Sequence, residues 1–209
     1  MNATIKICGL KDLRAIDAAI SNGAQYLGFV CDYPKSPRSC SALELITITN
    51  KIHTKDIFKV AVMVDPNDRI IEQIHQHIDF IQLHGSETNE RIIDIKSRFN
   101  PRIIKAIKIK EEEDLQQIDL YPAADDLLLD TPAMEKSELF NFNLLDNLNI
   151  SSYFLAGGIN ITNIHQALHF TSKIDISSGV ESEPGVKDIN KIKDFMDDIQ
   201  AFAWMLLDL

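Results

Sequence analysis

The runs Phe154-Leu155-Ala156-Gly157-Gly158-Ile159-Asn160 and, one strand-and-helix unit further on, Asp175-Ile176-Ser177-Ser178-Gly179-Val180-Glu181 repeat one design: a short apolar strand that ends in small residues. Small residues let backbone N–H groups come close to an anion. A helix start is expected after Gly158, with Asn160 or Thr162 as its N-cap, so that the partial positive charge of that terminus faces the same anion. Two consecutive strand ends of this kind predict a phosphate cradle of the sort carried by the last strands of a βα-barrel.

Outward from these runs, β-rich segments alternate with helical patterns about every 25 residues. The eight expected strands are Thr4–Cys8, Tyr26–Val30, Phe58–Val64, Phe80–Leu83, Arg102–Ile107, Asp126–Asp130, Tyr153–Ala156 and Lys173–Ser177. Between them, Asp12 to about Asn22 reads as a helix closed by Gly23, and Ser41-Ala42-Leu43-Glu44 as a capping box. Asp65-Pro66-Asn67-Asp68 opens a helix with Ile70, Ile71 and Ile74 on one stripe, and Glu87–Arg98 a further one with Ile92, Ile93 and Ile95 inward. Shorter or weaker patterns over Glu111–Ile118, around Leu139–Leu148 and over Asn163–Phe170, then a long one over Lys187–Leu207, complete eight. Strict alternation implies parallel strands with right-handed crossovers, and a count of eight selects a closed (β/α)8 barrel over an open doubly wound sheet.

With 209 residues, 45% of them apolar, the chain has material for one full-sized core and one domain. Its 21 Lys+Arg against 31 Asp+Glu give a net charge of −10, which disfavours nucleic acid and anionic membrane as partners. A small anionic substrate remains compatible, because a few local cations and backbone dipoles outweigh distant surface charge. Met1–Leu10 lacks the basic start and apolar stretch of a signal peptide, and no apolar run is long enough to span a bilayer, so a cytoplasmic protein is expected. Cys8, Cys31 and Cys40 cannot all pair and lack zinc-site spacing, which predicts reduced thiols and no metal centre.

In such a barrel the chemistry sits where the strands end at their C-terminal side. Those positions are Cys8, His84, Asp130, Gly157-Gly158 and Ser177-Ser178-Gly179, with Arg38 in the loop after the second strand. Each has a purely structural competitor. A lone cysteine is usually a small buried hydrophobe, Asp130 before Thr131-Pro132 is also a turn residue, His84 also a rim hydrogen-bonder, Arg38 also a solvated charge, and the glycines also turn formers. Lys6 shares the face of Cys8 and is expected to point into the barrel with Asp175 as its partner. Cys31 and Cys40 show no chemistry.

Lys6-Ile7-Cys8-Gly9, Ser36-Pro37-Arg38, Gln82-Leu83-His84-Gly85, Leu128-Leu129-Asp130-Thr131, Leu155-Ala156-Gly157-Gly158 and Asp175-Ile176-Ser177-Ser178-Gly179-Val180-Glu181, continuing through Pro184-Gly185-Val186-Lys187-Asp188, resemble in order and spacing the signatures of the phosphoribosylanthranilate isomerase family of tryptophan biosynthesis. The resemblance implies a (β/α)8 fold and an Amadori rearrangement of a small phosphorylated substrate, by a monomer or homodimer, with no metal or organic cofactor. It implies Asp130 as general acid and Cys8 as general base, with Arg38 for the benzoate carboxylate and His84 in a supporting contact. Gly157, Gly158, Ser178 and Gly179 would hold the phosphate. Cys8 then needs cations that favour its thiolate, and a thiolate facing Asp130 would help keep that carboxyl protonated.

The sequence departs from the family pattern after Thr131, where Pro132-Ala133-Met134-Glu135-Lys136-Ser137-Glu138-Leu139 replaces a glycine-rich loop, and at Leu10-Lys11. Beside the isomerase reading stand a related sugar-phosphate isomerase, against which Cys8 argues because the analogous histidine-pathway enzyme uses a carboxylate there, and a non-catalytic phosphate-binding barrel, against which the retained pair Cys8 and Asp130 argues.

Overall fold

A computed structural model describes residues 3–132 and 139–205; the departing loop Ala133–Glu138 lies outside the described residues. Eight parallel strands form the barrel: β1 (Thr4–Cys8), β2 (Tyr26–Cys31), β4 (Phe58–Met63), β5 (Phe80–Leu83), β6 (Arg102–Lys108), β7 (Asp126–Asp130), β8 (Phe154–Leu155) and β9 (Lys173–Ile176). Each pairs with its neighbours in this order, and pairing of β1 with both β2 and β9 closes the ring. The two-residue β3 (Ser39–Cys40) pairs in parallel with the C-terminal end of β2, and β10 (Glu181–Glu183) with β11 (Val186–Lys187) forms an antiparallel hairpin. Neither was expected from the sequence, since two- and three-residue strands carry no periodicity.

The helices are α1 (Leu13–Ser21), α2 (Ala42–Thr49), α3 (Asp68–Ile74), α4 (Asn89–Phe99), α5 (Ile164–Ala167) and α6 (Ile189–Met205). Both halves of the Ser41–Glu44 capping box form. On α4, Ile92 and Ile95 are buried but Ile93 is 53% exposed, a correction to the expected stripe. At about 100° per residue Ile93 is rotated off the line through Ile92 and Ile95. Two expected helices are instead 3-10 turns, over Glu112–Leu120 and Phe142–Leu145. Among the described residues no helix is long and apolar enough to cross a membrane.

Apolar side chains divide between two clusters. The larger lies between strands and helices; the smaller, with Val60, Val62, Ile104, Ala106, Leu128 and Ala156, fills the barrel. At the N-terminal end of the barrel Tyr26, Phe58, Phe80 and Phe154 form a plug, with ring centroids 4.8–5.6 Å apart in four pairs, and the Arg102 guanidinium lies 4.0 Å from the centre of the Phe80 ring. Above it Lys6, fully buried, donates to Asp175 at 2.9 Å, the pairing that strand alternation requires.

Candidate active site

The C-terminal ends of the strands surround one cavity, whose wall includes Cys8, Arg38, His84, Asp130, Gly157, Gly158 and Ser178. Strand alternation turns Cys8 inward at the end of β1, opposite the Asp130 that ends β7. Burial pushes the Cys8 thiol up from its ordinary pKa; Lys6 and Lys187 pull it back towards the thiolate, while Asp175 pushes it further up. The Lys6 ammonium stays charged above its usual range despite complete burial, because Asp175 and Cys8 both face it. Asp175 is thus an anion that acts directly on the Cys8 thiol. Asp130 accepts from the N–H of Thr131 through Oδ1 at 2.7 Å and has His84 Nε2 3.3 Å from Oδ2. That separation is within ion-pair range, yet His84 Nε2 makes no hydrogen bond of good geometry.

Arg38 enters the cavity wall, but its fork is already occupied. Nε and Nη2 each donate at 2.7 Å to the carboxylate of Glu181, a bidentate pair that the sequence did not reveal. Burial alone would raise the pKa of Glu181, but Arg38 and Lys187 together hold it below the usual carboxylate range. The hairpin of β10 and β11 carries both Glu181 and Lys187 to the site, and Lys187 also donates to the Ser177 carbonyl at 2.9 Å.

Just after β8, Gly157 and Gly158 adopt φ of +85° and +64°. Asn160 and Thr162 do not cap a helix, as the sequence had suggested. Asn160 accepts from Thr162 N–H at 2.8 Å and donates to the Gly158 carbonyl at 2.9 Å, which makes a turn, and the four-residue α5 starts only at Ile164. One helical turn has little dipole, so the donors available to an anion at these strand ends are backbone N–H groups. Gly179 is not part of the cavity wall. A methyl group there would collide with the Ile159 carbonyl oxygen, so this glycine lets the two strand-end loops touch. Gly179→Ala is expected to cost about 1–3 kcal/mol, as overpacking does, and to weaken inorganic phosphate binding; thermal unfolding and calorimetric titration read both.

Two buried residues given no such role by the sequence brace the rim. Lys105, on the outer face of β6, donates to Glu87 and to the Gly85 carbonyl, each at 2.8 Å. Glu87 in turn accepts from the N–H groups of Asp65 and Gly85, which fixes the loop that follows His84. Cys31 and Cys40 are pushed up by burial to about 12 and about 11, so they rest as thiols and take no part in the cavity.

A closed parallel barrel with these side chains and strand-end glycines at its C-terminal rim defines a (β/α)8-barrel protein with its candidate active site where the strands end. The model of the family described as N-(5'phosphoribosyl)anthranilate (PRA) isomerase matches residues 5–198, and the chain belongs to that family. It is similar to the N-(5'-phosphoribosyl)anthranilate isomerase of Rhizobium meliloti, 37% identical over 96% of this chain and 98% of that one, and to that of Brucella canis, 40% identical over 93% of each. Among solved structures, phosphoribosyl anthranilate isomerase from Thermotoga maritima superposes with a TM-score of 0.85 at 29% identity, over 95% of this chain and 99% of that one. A structure of such an enzyme in complex with reduced 1-(o-carboxyphenylamino)-1-deoxyribulose 5-phosphate gives 0.82 at 29% identity, with the same coverage.

Proposed function

We propose that this chain, acting as one barrel domain, converts N-(5-phosphoribosyl)anthranilate to 1-(o-carboxyphenylamino)-1-deoxyribulose 5-phosphate through Cys8 and Asp130. It is an aldose-ketose isomerase of tryptophan biosynthesis. The observation that carries the residue roles is the single cavity shared by the Cys8 thiol, the Asp130 carboxyl and the paired glycine-bearing strand ends. Asp130 gives its proton to the furanose ring oxygen as the C1–O bond breaks and the anilino nitrogen supplies the electron pair of the iminium. The thiolate of Cys8 then takes the C2 proton, the C–H electrons form the C1–C2 double bond of the enolamine, and tautomerisation gives the ketone. Lys6 and Lys187 favour the thiolate that this step needs. The phosphate rests on N–H groups around Gly158 and Ser178, with Gly157 and Gly179 shaping the loops, and Arg38, steadied by Glu181, turns its remaining edge to the benzoate carboxylate. The enzyme works in the cytoplasm on a small phosphorylated molecule, as a monomer or homodimer.

The direct test is loss of anthranilate-type fluorescence when freshly made phosphoribosylanthranilate meets the purified protein; no loss at high enzyme concentration refutes the activity. The pH profile tests the base. The reacting form is the thiolate, and burial sets its pKa above that of an ordinary thiol. The value of kcat/KM is therefore expected to keep rising with pH beyond about 8.5, the ordinary cysteine value. A plateau already reached at neutral pH would exclude Cys8 as the group responsible.

A further inference from the structure

Among the described residues three buried side-chain polar atoms lack a hydrogen-bond partner, and two of them, Gln82 Oε1 and His84 Nε2, belong to neighbouring residues of the cavity wall. Native interiors leave few such atoms, and two on one wall mark a place where a ligand completes the bonding. Gln82 is 1% exposed and lies on the inward face of β5, two residues after Phe80 of the plug. Its amide Nε2 is 3.3 Å from His84 Nδ1. An amide nitrogen has only protons to offer, so Nδ1 accepts, and the neutral imidazole carries its own proton on Nε2.

One of these atoms is then an acceptor and the other a donor, whose ion-pair contact with Asp130 Oδ2 at 3.3 Å falls short of hydrogen-bond geometry. Turning the amide over exchanges the two roles and still leaves one of each. Phosphate and carboxylate groups only accept, and a metal cation only receives electron pairs, so none of them satisfies both atoms. A hydroxyl does, since it donates and accepts at once.

We propose that Gln82 and His84 together bind a hydroxyl of the substrate's sugar chain, Gln82 as a substrate-binding residue in its own right. This rests on the phosphoribosyl reading above and names the part of the substrate that meets β5. A buried pair left half-satisfied discriminates against an analogue that lacks the group.

The probe is the reduced form of 1-(o-carboxyphenylamino)-1-deoxyribulose 5-phosphate, together with its forms lacking the C2, C3 or C4 hydroxyl in turn, titrated calorimetrically into the wild-type chain and Gln82→Met. One deoxy form is expected to bind the wild type about 10-fold more weakly than the parent. Gln82→Met is expected to bind the parent about 10-fold more weakly and to lose that discrimination. Gln82→Glu offers two acceptor oxygens, one for an Nδ1–H of a ring that also keeps its Nε2–H and one for the ligand, so it is expected to keep the discrimination, which covers the case in which Gln82→Met does not fold. Equal affinity of the wild type for the parent and every deoxy form overturns the inference, as does full discrimination in folded Gln82→Met or none in folded Gln82→Glu. A wild type that fails to bind the parent at all defeats the isomerase reading as well, whereas parent binding without discrimination defeats this inference alone.

Discussion

Asp130→Asn is expected to lower kcat by roughly 10²–10⁴-fold, the range for a lost general acid, with the affinity for a reduced product analogue held within about twofold. Asparagine keeps the shape of the side chain and the acceptor oxygen that takes the Thr131 N–H, so the end of β7 stays in place while the transferable proton is gone. Cys8→Ala is expected to fall as far, by removing the base from the opposite wall. Stopped-flow fluorescence for turnover and calorimetry for the analogue separate the two quantities. If folded Asp130→Asn turned over within tenfold of the parent, the proton would have to come from another group, and the assignment of the acid would move.

The second large effect is on stability. Lys6→Met leaves Asp175 as an unpartnered carboxylate in the barrel, and removal of one member of a buried pair costs about 3–5 kcal/mol. Lys6 is fully buried and Asp175 8% exposed, so solvent does little to soften the loss. The double variant Lys6→Met/Asp175→Leu is expected to regain most of it, because neither charge then remains. Denaturant unfolding of the two singles and the double gives the coupling directly. Costs that simply add would mean the pair is not the unit that matters.

Strand positions were legible because parallel barrel strands are apolar runs with sharp ends, and the inward positions of Lys6, Cys8 and Asp130 followed from alternation alone. Contacts between distant loops were not. Nothing in Glu181 signals that it grips Arg38, a pairing made only when the hairpin after β9 folds over the rim. Lys105 reads as an ordinary polar interruption of β6 until Glu87, in the loop after β5, reaches it. The one-turn α5 was over-read as a longer helix because Asn160 supplies a capping-type side chain, which the structure spends on a local turn. Gln82 stood in a quoted motif without a role, since an orphaned atom becomes visible only once its neighbours are placed.

The aromatic plug of Tyr26, Phe58, Phe80 and Phe154 turns the barrel into a vessel with a floor. Among the described residues, reactant and product therefore share a single doorway. A ketose phosphate still seated in the vessel blocks the next arrival, so product inhibition is competitive by construction. Handover to any following enzyme is by escape through the same opening, since a passage straight through the barrel is closed.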